Sequence, residues 1–196
     1  MNPGSANVDP ALLESWIGKA QKGDIASYQK IYEAFSRKIL NFVYRMVNSP
    51  EEAEDLTQET FVVVYKKLKS LKDRRKFEPW IYRIARNFVY QKYRTRTPQA
   101  VSIDAMDEEG RRETELADER KNPDEAFQMQ ELENVVSTVI ADLPEKYREV
   151  FVLSALQNLS YQEIADIVGR SLPSIKTDIH RARLEVRKLV KEYIKP

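Results

Sequence analysis

The segment from Leu159 to Arg187, LSYQEIADIVGRSLPSIKTDIHRARLEVR, spaces its residues as a reader of duplex DNA would. Ser160 and Glu163 stand three apart, the spacing of a capping box, and open a short helix whose apolar members are Ile164, Ala165 and Val168. Gly169 then supplies the positive φ on which helices end. A second helix follows, with Pro173 in its first turn and Ile175, Ile179 and Ala182 facing inward. Its leading outward residues are Ser174, Lys176, Thr177, His180 and Arg181, with Arg170 and Arg183 placed for phosphates. That layout predicts a helix-turn-helix whose second helix enters the major groove, hydroxyl and cationic groups reaching base edges while arginines meet the backbone. The plainer alternative is a helical hairpin with a solvated basic face. Cap, glycine and spacing together favour DNA.

A second basic segment, FEPWIYRIARNFVYQKYRTR (Phe77 to Arg96), carries an inward stripe of Ile81, Ile84, Ala85 and Phe88. Around it Trp80, Tyr82, Arg83, Arg86, Asn87, Tyr90, Gln91, Tyr93 and Arg94 interleave aromatic with cationic and amide groups. Such a surface suits single-stranded DNA, because bases stack on rings while cations follow phosphates. The plainer alternative is that Trp80 and several of the tyrosines are core: Trp80 taken alone reads so, while Arg83, Arg86, Asn87 and the loop before them read as DNA-facing. A third group, Asp55, Gln58 and Glu59, lies near a helix start, where acids complement the helix dipole or dock a basic partner helix. The residues by themselves favour the dipole. No phosphate-binding glycine loop, metal-ligand spacing or nucleophile setting occurs, and the only histidine is His180, so neither catalysis nor a metal or cofactor is expected.

The elements that must position these groups are helical. One helix is expected from about Pro10 to Lys22, ending at Gly23, and Asp24 caps a longer one with Ile25, Tyr28, Ile31, Tyr32, Phe35, Ile39, Phe42, Val43 and Met46 in helical period. Ser49-Pro50-Glu51-Glu52 sets a cap, a proline at the first helical position and a capping-box acid. The helix they open buries Ala53, Leu56, Thr60, Phe61, Val64, Leu68 and Leu71. Ser70 to Lys76 (SLKDRRK) has no apolar period and is expected to be a basic loop. Helical signals return at Phe127, break at Leu143-Pro144, and resume with Tyr147, Val150, Phe151, Leu153 and Leu156. No strand-period segment and no internal repeat is found. The expectation is an all-α chain of two small helical domains on a flexible acidic linker: 1–23 a tail with a short helix, 24–96 the first domain, 97–125 the linker, and 126–196 the helix-turn-helix domain.

Composition sharpens this. Five glycines in 196 residues, with 32% charged and 42% hydrophobic residues, favour helices with a charged surface. There are no cysteines, which excludes disulfides and thiol chemistry. The N-terminus lacks a basic run before an apolar stretch, and no apolar run approaches the roughly 18 residues that span a bilayer, so a soluble cytoplasmic protein without membrane insertion is expected. The net charge of +1 conceals segregation: Lys66 to Arg96 holds 12 basic residues against Asp73 and Glu78, a net +10. Pro98 to Glu125 holds 10 acids against 4 bases, and Arg170 to Pro196 holds 8 bases against 3 acids. Two basic blocks about an acidic spacer suggest two surfaces for a polyanion, although each block also fits a solvated helix face.

These residues form a known pattern. AEDLTQETFVVVYKKL (Ala53 to Leu68) followed by FEPWIYRIARN (Phe77 to Asn87) resembles region 2 of bacterial RNA polymerase sigma factors. LPEKYREVFVL (Leu143 to Leu153) and LSYQEIADIVGRSLPSIKTDIHRAR (Leu159 to Arg183) resemble region 4, and the absence of a region 3 between them points to the extracytoplasmic-function group. The resemblance implies a promoter-specific initiation factor that binds core RNA polymerase and helps to open DNA. Asp55, Gln58 and Glu59 match positions that dock the β′ clamp helices. Leu71, Lys72, Arg74, Arg75 and Lys76, with Asn87 and the helping Arg83 and Arg86, match the capture of a flipped base of the −10 element. Arg170, Ser174, Lys176, Thr177, His180, Arg181 and Arg183 fall to the −35 element, and region 4 also meets the β flap. The acidic linker resembles the segment that threads toward the RNA exit path, and an anti-sigma factor is a further implied partner. Two departures stand out: the loop LKDRRKFEP is unusually basic, and Asp178 would repel phosphate unless it accepts from a cytosine amino group or pairs with an arginine.

Overall fold

The computed structural model describes residues 8–96 and 135–193, and every regular element among them is helical. The linker expected at 97–125 lies outside the described residues. Helix α1 (Pro10–Ala20) starts where Asp9 accepts from the Ala11 N–H at 2.8 Å, with Pro10 filling a position whose N–H has no helical partner. Gly23, at φ 99°, makes the turn into α2 (Ile25–Val47), and Asp24 caps that helix by accepting from Ser27 N–H at 3.2 Å. Left-handed Asn48 ends α2, and Ser49 caps α3 (Pro50–Lys67). Glu52 N–H donates to Ser49 at 3.4 Å, while the Glu52 carboxylate lies 3.5 Å from Lys92 Nζ.

The basic loop contains two 3₁₀ turns, Leu68–Ser70 and Arg74–Lys76, and leads straight into α4 (Phe77–Arg96). After the break in description come α5, described over 135–141, and α6 (Glu145–Phe151), which runs into a π-helical turn, Val152–Leu156. Helix α7 (Tyr161–Val168) and helix α8 (Leu172–Tyr193) complete the chain.

A stripe on α2, Ile31, Phe35, Ile39, Phe42, Val43 and Met46, forms the spine of the first half. Each such side chain contributes roughly 2 kcal/mol on leaving water. Ile17 of α1, Val64 of α3 and Phe77, Ile81 and Tyr82 of α4 are fully covered against it, with edge-on ring contacts between Phe35 and Phe77 and between Phe42 and Tyr82. In the second half Val150, Val152, Leu153, Ile164, Ile175, Ile179 and Ala182 are buried, and this cluster runs on into the first without a gap. The two halves meet along α4, which packs on α7, and along α2, which meets α6 and the π-turn.

The sequence left open whether the tyrosines of this segment form an exposed aromatic face or are core, and the structure makes Tyr82, Tyr90 and Tyr93 packing residues. Tyr82 is fully buried and donates to Gln157 Oε1 at 2.7 Å, Tyr90 donates to Glu149 Oε2 at 3.1 Å, and Tyr93 donates to the Met46 carbonyl. The reason is geometric: α4 is covered on two sides, by α2 and α3 and again by the second half, so its buried arc is wider than one stripe. Trp80 is half-buried against Phe77, its ring centroid 5.9 Å away.

Candidate nucleic-acid interface

Helix α7 is held open at its start by a reciprocal cap. Glu163 N–H donates to Ser160 Oγ at 3.3 Å, and Ser160 N–H donates to Glu163 Oε2 at 2.8 Å. Its end is Gly169, at φ 74°, whose N–H donates to the Ala165 carbonyl at 2.9 Å. Three residues later α8 begins. Ile175, Asp178, Ile179 and Ala182 of α8 are buried, so the helical period turns Lys176, Thr177, His180, Arg181 and Arg183 to solvent on one continuous surface. Thr177 Oγ1 donates back to the Pro173 carbonyl at 3.0 Å and keeps its acceptor capacity.

Asp178 does not face that surface. It is 2% exposed and sits between Lys146 Nζ, at 2.9 Å, and the guanidinium of Arg170, which also donates to Ser174 Oγ at 2.6 Å. Burial pushes the Asp178 carboxyl up, but hydrogen bonds from Lys146 and Arg170 and their charges outweigh it and hold the group below its ordinary value. Of the two outcomes open to this acid, pairing with an arginine is the one realised. Arg170 and Ser174 therefore form a fixed shoulder beside the exposed row.

The second cluster surrounds the loop before α4. Leu71 is half-buried on the core; Lys72, Arg74, Arg75 and Lys76 are exposed. Arg75 Nε donates to Asp73 Oδ1 at 3.0 Å, and that hydrogen bond lowers the Asp73 carboxyl and raises the guanidinium. Lys76 Nζ lies 3.8 Å from Asp166 of α7. Arg83 and Asn87 stand one turn apart on α4 and are both exposed. Arg86, by contrast, is turned against the second half: it donates to Glu149 Oε1 and stacks 4.3 Å from the Tyr90 ring centroid. The exposed surface of α4 is thus cationic and amide-bearing, and three of its tyrosines serve packing.

The third group is intact as a row. Asp55, Gln58 and Glu59 are exposed on α3 and border an open depression floored by Val62, Val63 and Phe88. Next to it Tyr32, Val62 and Tyr65 expose 41%, 51% and 58% of their surface, an apolar flank that the sequence reading did not single out. Gln21 and Glu149 were also missed. Glu149 carried a signal, a charged residue between Tyr147 and Val150 in an otherwise apolar period; Gln21 carried none.

The chain matches the family model for Sigma-70 region 2 over residues 31–98 and the model for Sigma-70, region 4 over residues 133–186. It is 32% identical over 183 residues to the ECF RNA polymerase sigma factor SigW of Bacillus subtilis (strain 168), a match spanning 92% of this chain and 98% of that one. The ECF RNA polymerase sigma-E factor of Escherichia coli (strain K12) is 31% identical over 189 residues, covering 95% of this chain and 96% of that one. Among solved structures the fold is similar to that of CnrH in complex with the cytosolic domain of CnrY, with a TM-score of 0.69 at 20% identity over 92% of this chain and 98% of that one. It is also similar to the sigma factor RpoE in complex with the anti-sigma factor NepR from Bartonella quintana, with a TM-score of 0.63 at 21% identity over 84% of this chain and 96% of that one.

Proposed function

The chain belongs to the extracytoplasmic-function (ECF) branch of the sigma-70 family, promoter-specific transcription initiation factors, and from that premise we propose how its surfaces divide the work. The row Lys176, Thr177, His180, Arg181 and Arg183 reads the −35 element in the major groove of duplex DNA, with Arg170 and Ser174 steadying its edge. The loop Leu71, Lys72, Arg74, Arg75 and Lys76, with Arg83, Arg86 and Asn87, holds an unstacked base of the −10 element. Extruding that base costs roughly a few kcal/mol, which a shaped pocket with cationic neighbours must return. Asp55, Gln58 and Glu59 dock the β′ clamp helices of core polymerase, and the second half contacts the β flap. The work is done in the cytoplasm and involves no catalysis by this chain.

The observation that carries this reading is the outward row on α8, which follows a glycine turn and stands on an inward face of Ile175, Asp178, Ile179 and Ala182. Two reading surfaces on one chain make the second contact effectively intramolecular, so two weak readers act as one strong one. Two structural neighbours were solved with CnrY and with the anti-sigma factor NepR, which supports an anti-sigma protein as the regulatory partner here.

The test is in vitro transcription with core polymerase beside a duplex-binding assay without it. Promoter-specific transcripts that require both are expected, with affinity falling steeply as salt rises. Arg181→Glu is expected to abolish −35 protection in footprints while leaving core binding intact. Core polymerase that neither binds the chain nor initiates with it would refute the reading.

A further inference from the structure

The loop assigned above to the −10 element is not held by α3 and α4 alone. Gln21, the residue that closes α1, uses its whole carboxamide on it: Nε2 donates to the Leu68 carbonyl at 3.0 Å and to the Leu71 carbonyl at 2.9 Å, while Oε1 accepts from Arg74 Nε at 3.0 Å. These carbonyls bracket the 3₁₀ turn that ends α3, and the Leu68 carbonyl also accepts from the Leu71 N–H at 3.1 Å. One turn earlier on α1, Gly18 receives the Arg74 side chain. A Cβ at Gly18 would stand 2.7 Å from Arg74 Nη1 and 2.9 Å from its Cζ, so the guanidinium would have to leave this seat to make room for one. Glycine inside a helix is otherwise unfavourable relative to alanine, and Gly18 lies within α1 with no turn to make. Helix α1 also precedes residues 31–98, the span matched by the region 2 model.

We propose that α1 is the template on which the −10 loop is shaped, with Gln21 and Gly18 as positioning residues and Arg74 as the strut they hold. This rests on the reading of the loop given above. Arg74 gives its Nε to Gln21 and lays its guanidinium against Gly18, so its contribution to promoter recognition includes the shape of the loop. Lys72, Arg83 and Asn87 remain as exposed polar groups on and beside the loop. A loop held in one shape accepts the base that fits it and rejects the others, whereas a loosened loop reshapes around any base, so the hold governs selectivity more than overall affinity.

The experiment uses holoenzyme formed with wild type, Gln21→Ala, Gly18→Ala and Arg74→Lys, titrated with single-stranded non-template oligonucleotides substituted base by base across the −10 element. Core affinity and duplex −35 binding are measured alongside. Loss of a positioning hydrogen bond is expected to flatten base preference by roughly five- to tenfold in each variant, with core affinity and −35 binding unchanged. Gly18→Ala is the discriminating substitution, because it strengthens the helix while unseating Arg74. Arg74→Lys retains the charge and carries the test should Gln21→Ala fail to fold. Variants that keep the wild-type base profile, or that weaken binding to all bases alike as a lost phosphate contact would, overturn the proposal. If wild type itself shows no base preference on single strands, the reading of the loop fails and this inference with it.

Discussion

Asp178 shows how a single side chain can be turned from an apparent liability into a structural member. Its position in the leading half of the recognition helix would repel phosphate, yet it is inward, 2% exposed, and tied to Lys146 of α6 and to Arg170 in the turn. Its carboxyl is held below the ordinary range, so the ion cluster contributes stability above that range, and the contribution is lost as the pH falls through the lowered value. Asp178→Asn is expected to cost about 1–2 kcal/mol near neutral pH, moderated because Lys146 and Arg170 retain access to water. The variant should also lose this acid-dependent component. Denaturation followed by circular dichroism from pH 7 to pH 3 measures both effects. From the sequence, the choice between a base contact and an ion pair at Asp178 stayed open, because a helical period of apolar residues gives no reason to place an acid on the inward face.

At the scale of elements, what was legible was what is local. Asp24, Ser49, Ser160 and Gly169 act as caps because each satisfies or ends a backbone pattern within four residues of itself, and those bonds are present at the expected positions. The α7–turn–α8 unit therefore depends on two small local features, and each can be weighed. Ser160→Ala is expected to cost about 1 kcal/mol by removing the cap. Gly169→Ala is expected to cost roughly 1–2 kcal/mol from the left-handed backbone alone, since a Cβ there meets nothing within 4 Å. Thermal unfolding of the full chain should report each loss, and the double variant should give a sum smaller than two independent sites would if the caps support one cooperative unit. The π-turn at Val152–Leu156 was not legible, because its apolar residues read equally well as α-helix; its unusual register brings Gln157 to Tyr82. Nor was the fate of the α4 tyrosines, since their partners lie 75, 59 and 47 positions away, Gln157 for Tyr82, Glu149 for Tyr90 and Met46 for Tyr93.

Over the whole molecule, the two halves are joined by polar contacts that also involve a candidate promoter residue. Arg86 and Tyr90 of α4 both donate to Glu149 of α6, Arg148 Nη1 donates to the Met46 carbonyl at 3.1 Å, and Lys76 approaches Asp166. On the −10 role proposed for Arg86, promoter DNA and Glu149 compete for the same guanidinium. Burial raises the Glu149 carboxyl, with Glu145 nearby adding to that, while Arg86 and Tyr90 pull the other way without cancelling it. Because the group is raised in the packed form, its contribution to closure is complete below the ordinary carboxylate range and is lost as the pH rises through the raised value. Glu149→Gln is expected to remove that pH dependence, since it mimics the protonated side chain. Arg86→Ala leaves an unpaired buried acid and is expected to open the molecule. The chain has no cysteine, so probes at Glu33→Cys and Lys188→Cys, on exposed faces of α2 and α8, report the separation of the halves without background labelling. Closure that tightens on acidification in the probe-labelled parent, responds less to pH in Glu149→Gln, where Glu78 facing Glu163 still titrates, and is lost in Arg86→Ala is the expected pattern. A separation that ignores both substitutions would mean that the apolar contact between α4 and α7 holds the halves together, and that Arg86 is free to meet DNA without any domain movement.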